Sequence, residues 1–306
     1  MEISVILCTF NRAPILRRAL ASLAKSRVVW TSDWELLIVD NNSTDHTRQV
    51  AEDFALQFAG GCRYIFEGRP GKSHALNSAL RHARGQILAF VDDDVVVDEH
   101  WLQNLTAPLA AAHWAGAGGQ ISPERDFVPP PWLSLDGRYA LAPLAIFSPA
   151  TRAGELREPP FGTNMAYRAE VFEKVGGFRT DLGPQPGSEI RGEDTEFGMR
   201  VLSAGYHIWY EPSAIVYHSL SAHRLRKDYF LSWWYDKARS DVRAGELANV
   251  SSLRVAGVPL SLLRRLGMWT LRWVTSIRPA ERFSSKIRVW SLAGTIVEFR
   301  RLGRSS

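Results

Sequence analysis

Short runs of consecutive apolar residues alternate, along the first third of the chain, with segments that have helical spacing. The apolar runs are "EISVILC" (2–8), "WELLIVD" (34–40), "CRYIF" (62–66) and "QILAFV" (86–91). Between them, apolar residues recur every three or four positions over 13–26, 45–58 and 72–84. Strands that alternate with helices of this length predict a mostly parallel sheet flanked by helices. The expected fold class is therefore α/β and Rossmann-like.

Polar residues follow three of the four apolar runs, at the point where each run ends. They are "CTFNR" after the first run, "DNNSTD" after the second and "DDD" after the fourth. The carboxyl ends of parallel strands share one edge of a sheet, and ligands bind there in such folds. The three clusters therefore predict a single functional site.

The segment "AFVDDDVVVD" (89–98) places three carboxylates inside an otherwise strand-like apolar run. Two carboxylates about 5 Å apart repel by roughly 3 kcal/mol at an effective dielectric of about 20. A divalent cation would cancel that repulsion, and oxygen ligands on a short turn suit Mg²⁺ or Mn²⁺, whose coordination phosphates can complete. A solvated turn that leads into an acidic helix start is the alternative.

Composition narrows the class of protein. The chain has 306 residues, of which 45% are hydrophobic and 23% charged, as in an ordinary globular protein. Its two cysteines provide no disulfide framework, which fits a reducing compartment. The N-terminus lacks the pattern of a signal peptide, and no uninterrupted apolar run is long enough to span a membrane. We therefore expect a cytoplasmic protein.

The segment "GRPGKSHALN" (68–77) contains "GKS", which is typical of a phosphate-binding P-loop. That motif needs a glycine five positions before the glycine of "GK", and Phe66 occupies this position. An ATPase or GTPase is therefore not expected, although a glycine-rich turn that enters a helix can still accommodate an anionic group.

Charge divides the chain into an acidic body and a basic tail. Residues 1–221 contain 20 Lys and Arg against 26 Asp and Glu, whereas residues 222–306 contain 17 against 6. We therefore predict a catalytic domain over 1–221 and a basic helical extension over 222–306. The tail has no nucleic-acid-binding motif, so nucleic acid is not an expected partner.

The tail contains an amphipathic helical pattern with tryptophans. Leu262, Leu266, Trp269, Trp273 and Ile277 share one helical face, and the arginines around it are Arg264, Arg265, Arg272 and Arg278. A basic amphipathic helix of this kind suits peripheral contact with an anionic membrane. The alternative is that the helices pack on the catalytic domain or on another subunit of an oligomer.

Seven motifs, taken in order, resemble the family-2 glycosyltransferases of bacterial polysaccharide and glycan synthesis. They are "SVILCTFNR", "ELLIVDNNSTD", "GRPGKSHALNSAL", "FVDDDVVVD", "FGTNMAYR", "GGF" and "RGEDTEFGMRVLSAGYHIWYEPSAIVYH". The resemblance covers about residues 2 to 220. It implies an inverting enzyme of the GT-A fold that uses a nucleotide-sugar donor.

The resemblance also implies site residues on the donor side. Those expected to bind the donor nucleotide are Thr9, Asn11, Arg12, Asp40, Lys72, Asn77, Asp92 and Asp93. Asp94, in the position of the DxD motif, and His218 are implied as ligands of Mn²⁺ or Mg²⁺. Alternatives are that Asp40 caps a turn, that Lys72 is only solvated and that His218 ends a strand, with His223 a weaker rival for the metal.

On the acceptor side, Asp194 is implied as the general base, paired with Glu193. The alternative is that both acidic residues only favour the first turn of a helix through its dipole. The segment 121–165 is rich in prolines and aromatics, which argues against regular secondary structure and for a functional loop. Within it, Gly162, Asn164 and Trp132 are expected near the donor sugar or the acceptor.

The resulting hypothesis is a metal-dependent, inverting hexosyltransferase that uses a UDP-sugar. Its acceptor would be a glycan or a lipid-linked saccharide at the inner face of the cell membrane. Two alternatives remain: a sugar nucleotidyltransferase and a non-catalytic nucleotide- or glycan-binding protein. The first usually has a glycine-rich phosphate loop after its first strand, and "CTFNRAPILRR" has no glycine. The second conflicts with the presence of both "DDD" and "ED".

Overall fold

The computed structural model describes residues 2–29, 33–58, 60–124, 126–130, 132–133, 142–185, 190–245 and 251–302. The chain forms two compact units. The first comprises Met1–Arg125, Ala145–Pro186 and Glu193–Ser219, and the second comprises Asp126–Leu144, Gly187–Gly192 and Leu220–Ser306. The second unit thus includes two segments from within the region that was predicted as one catalytic domain.

The first unit begins with alternating strands and helices. The strands are β1 (Ile3–Thr9), β2 (Trp34–Asp40), β3 (Cys62–Phe66) and β4 (Ile87–Asp92), and the helices are α1 (Ala13–Leu23), α2 (Thr47–Gln57) and α3 (Lys72–His82). The four strands are parallel, in the order β3-β2-β1-β4. β1 and β2 are buried along almost their whole length, which explains their uninterrupted apolar sequences.

The two faces of β1 contribute to two apolar clusters. Val5 and Leu7 pack in the cluster that contains Leu16 of α1, whereas Ile6 packs in the cluster that contains Leu76 of α3. Because successive side chains of a strand point to opposite faces, β1 can anchor helices on both sides of the sheet. This layering confirms the predicted α/β class.

The rest of the first unit extends the sheet with strands of both directions, so the whole sheet is mixed. Its elements are β5 (Val95–Val97), α4 (Trp101–Thr106), β6 (Trp114–Pro123), β7 (Gly154–Leu156), β8 (Asn164–Arg168), α5 (Ala169–Val175), α6 (Glu193–Ser203) and β9 (His207–His218). β8 lies antiparallel between β4 and β6, β6 is parallel to β9, and β5 and β7 are antiparallel to β9.

β7 lies within the segment 121–165, for which no regular secondary structure was predicted. It pairs with β9 through Gly154–Tyr210 and Leu156–Ile208. The prediction was wrong at this point because a three-residue strand has too few residues to show alternation, and only its pairing with β9 defines it.

The sheet register brings distant polar segments to one edge. Thr9 pairs with Asp40, and Cys8 pairs with Asp92, so β1, β2 and β4 end side by side. His218, the last residue of β9, pairs with Val95 just after the acidic turn. The carboxyl ends of β1, β2, β4 and β9 therefore meet, as the sequence predicted for the first three.

The second unit is helical, as predicted for the C-terminal extension. It contains α7 (Lys227–Ala244), the short strands β10 (Arg254–Val255) and β11 (Val258–Pro259), α8 (Leu260–Thr275) and α9 (Pro279–Leu302). Glu298 of α9 is buried and accepts hydrogen bonds from Arg239 and Arg243 of α7 at 3.0 and 2.8 Å. Among the described residues, no helix is long and apolar enough to cross a membrane.

The side chain of Asn164 joins four elements of the first unit. Its Oδ1 accepts a hydrogen bond from Trp101 Nε1 at 2.8 Å, and its Nδ2 donates to the carbonyls of Gln120 and Ala214 at 2.9 and 2.8 Å. We expect Asn164→Ala to lower the free energy of unfolding by about 3–5 kcal/mol, because it leaves buried groups without partners.

Denaturant unfolding measures this loss, with Asn104→Ala as the control. The side chain of Asn104 donates one hydrogen bond, to the carbonyl of Ser213 at 2.9 Å, and it is partly exposed. Its replacement should cost about 1 kcal/mol. Equal losses in the two variants would contradict the structural role of Asn164.

Candidate active site

The acidic turn after β4 holds each of its carboxylates with a cation. Asp92 accepts hydrogen bonds from Lys72 Nζ and Thr163 Oγ1, both at 2.6 Å. Asp93 accepts from Thr9 Oγ1 at 2.7 Å and from Arg12 Nη1 at 2.8 Å. These pairs offset the mutual repulsion that three adjacent carboxylates would otherwise suffer.

Asp94, the third carboxylate, lies between Arg12 and the end of β9. Its Oδ2 is 3.2 Å from Arg12 Nη1 and 3.5 Å from Nε2 of His218. Only 9% of Asp94 and 1% of His218 are exposed, so both side chains are fixed by their surroundings. The predicted metal ligands are thus adjacent.

The pKa values of Asp92 and Asp93 shift in opposite directions. Burial raises the pKa of Asp93 to about 6, against the opposing charge of Arg12. Burial acts on Asp92 in the same direction, but the charge of Lys72 and the hydrogen bonds from Lys72 and Thr163 hold its pKa below the usual value. Asp92 therefore remains a carboxylate at neutral pH.

The acidic pair at the start of α6 borders the same cavity as Asp92. Residues that line this cavity include Lys72, Asp92, Gly162, Glu193 and Asp194. Lys72 Nζ is 3.7 Å from Glu193 Oε1, so one ammonium group joins Asp92 to the acidic pair. The structure therefore brings the donor-side and acceptor-side predictions together.

Asp194 is held by backbone donors. Its Oδ2 accepts from the N–H of Gly162 at 2.6 Å, and its Oδ1 accepts from the N–H of Thr195 at 2.7 Å. A Cβ at position 162 would lie 3.1 Å from both Cβ and Oδ2 of Asp194. Glycine at this position thus allows the close approach that aligns the Asp194 carboxylate.

Glu193 is buried, with 4% of its surface exposed. Burial and the charge of Asp194 raise its pKa to about 7, while Lys72 opposes the rise. The helix-dipole alternative explains why acidic residues begin α6. It does not explain their convergence on Lys72 and Gly162.

Asp40 and Asn11 organise the loops that follow β2 and β1. Asp40 accepts hydrogen bonds from the N–H of Ser43 at 2.9 Å and from Tyr64 Oη at 2.8 Å, so it does cap the turn. Asn11 has a φ of 51° and accepts from the N–H of Thr44 at 2.7 Å. Nucleotide contacts by these two residues stay predictions.

Three predicted site residues have scaffold contacts instead. The amide of Asn77 pairs with the backbone of Phe178, donating at 2.7 Å and accepting at 2.8 Å. Asn164 is fully buried, and its amide is engaged in the bonds described above, so its side chain is not available to a sugar. Trp132 belongs to the second unit, where its ring packs edge-on against Phe230 and Phe283. The ring of Trp132 is thus a packing group of the second unit, and its contact with a sugar or an acceptor stays a prediction.

Thr163 is a site residue that the sequence analysis missed. Its hydroxyl is one of the two groups that fix Asp92. The available signal was its place between Gly162 and Asn164, two residues already under consideration. A hydroxyl in such a loop has many partners within reach, so only the structure identifies Asp92 as the one it binds.

The predicted metal ligands fit a divalent ion as a pair. In the part of the chain that is described, no group of three or more His, Cys, Asp and Glu side chains is arranged to hold a metal. The 3.5 Å between Asp94 Oδ2 and His218 Nε2 allows both atoms to reach one ion. Carboxylate and imidazole are accepted by Mn²⁺, and phosphates with water can complete its shell.

The family model described as Glycosyl transferase family 2 matches residues 4–176, from β1 through α5. The chain belongs to this family. The match includes the acidic turn, Lys72 and the loop of Gly162 and Thr163, and it ends before Asp194.

Two curated relatives of this family-2 chain cover most of it. It is 25% identical to glycosyltransferase AglE of Haloferax volcanii over 71% of its own length and 66% of that protein. It is 27% identical to the succinoglycan biosynthesis protein ExoM of Rhizobium meliloti over 73% of its length and 69% of that protein. The chain spans about half to two thirds of the length of the first curated relatives it matches.

The fold is shared with solved glycosyltransferases. The mannosyltransferase PcManGT from Pyrobaculum calidifontis, in complex with GDP-Man and Mn²⁺, aligns with 100% of this chain and 76% of its own. The TM-score is 0.57 and the sequence identity 19%. This likeness confirms the predicted GT-A fold.

The raised pKa of Glu193 makes the stability of the family-2 protein depend on pH. The Glu193 carboxyl binds its proton more tightly in the folded protein, so the protonated form stabilises the fold. This stabilisation is fully present below the ordinary pKa of about 4.5 and is lost as pH rises through about 7. Glutamine has no such charge, so Glu193→Gln should gain stability relative to wild type between pH 5 and 9, by about 1–3 kcal/mol.

Denaturant titrations at several pH values measure the difference. Glu173→Gln serves as the control because Glu173 is exposed on α5. The free energy of unfolding of this variant should differ from that of wild type by an amount that changes with pH by no more than about 0.5 kcal/mol. A pH-independent difference for Glu193→Gln would contradict the burial of a charged Glu193.

Proposed function

We propose that this protein is an inverting glycosyltransferase that moves a hexose from a nucleotide-sugar, in the first instance a UDP-sugar, to a hydroxyl of a glycan or lipid-linked saccharide. The observation that carries the proposal is that Asp92 and Asp194 border one cavity and are each held in place there. Family membership supports the reaction class.

Asp194 is proposed as the general base. Inversion requires a base on the acceptor side, where it removes a proton from the hydroxyl as that oxygen attacks the anomeric carbon. Oδ2 of Asp194 accepts one backbone hydrogen bond and keeps a second lone pair for the acceptor hydroxyl, whereas Oδ1 accepts from the N–H of Thr195 and, at 3.4 Å, from its hydroxyl. A positioned base contributes about 10²–10⁴-fold in rate.

The donor nucleotide is proposed to lie along the ends of β1, β2 and β4. Residues assigned to its binding are Thr9, Asn11, Arg12, Asp40, Lys72, Asp92 and Asp93. Thr9, Arg12 and Asp93 support one another through hydrogen bonds, so this edge is already arranged before a ligand arrives. Side-chain contact by Asn77 has less support, because its amide is bound to the backbone of Phe178.

We propose that Asp94 and His218 hold Mn²⁺ or Mg²⁺. The ion would neutralise negative charge on the departing nucleoside diphosphate. The convergence of the two side chains supports this assignment, as does the Mn²⁺ in the complex of PcManGT. Arg12 lies against the same carboxylate and adds a second positive charge beside the phosphates.

We assign catalysis to the region predicted over residues 1–221 and a peripheral membrane role to residues 222–306. The basic balance of the second region supports contact with an anionic inner membrane face. A lipid-linked or polysaccharide acceptor is consistent with ExoM, which is named for succinoglycan biosynthesis.

Asp194→Asn tests the base. The variant should release nucleoside diphosphate about 10²–10⁴-fold more slowly than wild type, because asparagine cannot take the proton. Donor affinity should change less than about threefold, because the carboxylates of the acidic turn are untouched. The assay follows release from UDP-, TDP- and GDP-sugars in the presence of a membrane lipid extract.

Asp181→Asn is the matched control. Asp181 is an exposed residue that pairs with Arg179 at 2.7 Å, and its replacement should leave both rate and affinity unchanged. Transfer at the wild-type rate by Asp194→Asn would overturn the assignment of Asp194.

A further inference from the structure

The apolar stripe that the sequence assigned to a membrane is a packing face of α8. Leu262 forms a cluster with Val258 of β11 and Leu292 of α9, and Leu266 and Trp269 pack against it. Trp273 of the same stripe meets Trp290 of α9 edge-on, with 5.7 Å between ring centroids. The packing alternative therefore accounts for this stripe, apart from Ile277.

A second set of apolar residues faces outward. Met268, Leu271 and Val274 are 54%, 66% and 66% exposed, and Ile277, just beyond the helix, is 96% exposed. The four residues recur every three positions. This spacing places Met268, Leu271 and Val274, which belong to α8, along one side of the helix. Leu262 is the one residue of α8 that is buried. We call these four residues the outer ridge.

Positive charge surrounds the outer ridge. The segment 260–278 contains four arginines and no aspartate or glutamate. Arg264, Arg265 and Arg272 are exposed on α8. Arg278 is also exposed and pairs with Glu281 at 3.2 Å. A surface of this composition complements an anionic one.

We propose that the outer ridge enters the headgroup region of an anionic bilayer and that the arginines beside it bind lipid phosphates. The proposal rests on the proposed function, since it names the membrane face at which a lipid-linked acceptor would be met. Aliphatic side chains flanked by arginines suit an interface that is apolar inside and negatively charged outside. The long arginine side chains reach the phosphates while their stems cover apolar surface.

A second copy of the chain is a poorer partner for this face. A symmetric dimer places the same patch on both subunits, so the arginines beside each ridge would face those of the other. Like charges at that distance repel, and the segment has no acidic residue to pair with them. A bilayer that contains anionic lipid has no such conflict.

Vesicle flotation of the full chain tests the proposal. Wild type should float with phosphatidylglycerol–phosphatidylcholine vesicles and not with phosphatidylcholine alone, and raising NaCl from about 0.05 to about 0.5 M should release it. Leu271→Ser with Val274→Ser should lower the partition coefficient at least about tenfold. Arg264→Gln with Arg265→Gln should lower it by about tenfold or more, because each arginine contributes about fivefold.

The matched control is Val29→Ser with Leu56→Ser, which removes two apolar residues that are 84% and 88% exposed in the first unit. This variant should float like wild type. Thermal unfolding should give the same Tm for all variants, because no buried contact changes.

Three results would overturn the proposal: wild type that stays with the aqueous fraction, ridge variants that float like wild type, or a lipid-free dimer that Leu271→Ser with Val274→Ser dissociates. The last would show that a second copy covers the ridge. Flotation involves no sugar transfer, so a protein that binds nucleotide without floating would overturn the membrane proposal alone. A protein that floats without binding nucleotide would overturn the proposed function alone.

Discussion

The ammonium group of Lys72 is the contact on which the rest of the site depends. It lies 2.6 Å from Asp92 and 3.7 Å from Glu193, on the border of a cavity that Asp194 also lines. Without it, carboxylates from β4 and α6 would face one another in a partly buried space, where like charges are costly. The opposing carboxylates also raise the pKa of Lys72, against the effect of burial, so it stays charged.

Neutralisation by neighbouring cations also explains why a core strand can end in three carboxylates. Lys72 neutralises the first, and Arg12 lies against the second and third. The register of the sheet makes this possible because β1 places Thr9, and the segment that follows it places Arg12, at the end of β4. A divalent ion at Asp94 and His218 would add positive charge at a point where two carboxylates share one guanidinium group.

The fold was predictable from the sequence because buried parallel strands are uninterrupted apolar runs and the helices between them are amphipathic. The antiparallel strands β7 and β8 could not be predicted in this way, because their pairing depends on residues far along the chain. The acidic residues and Lys72 were predicted as site residues from motif order, and their roles stay predictions. Asn77 and Asn164 resemble ligand-binding amides in sequence, but long-range backbone partners occupy them. On α8, periodicity revealed an apolar stripe without showing that α9 covers it.

Calorimetric titration of the nucleotides is the most direct test of the central claim, that the ends of β1, β2 and β4 form a metal-assisted donor site. UDP, TDP and GDP are each titrated with Mn²⁺ and again with EDTA. The account predicts that one of them, in the first instance UDP, binds with Mn²⁺ and loses at least about tenfold in affinity with EDTA. Binding by none of the three under either condition would contradict it.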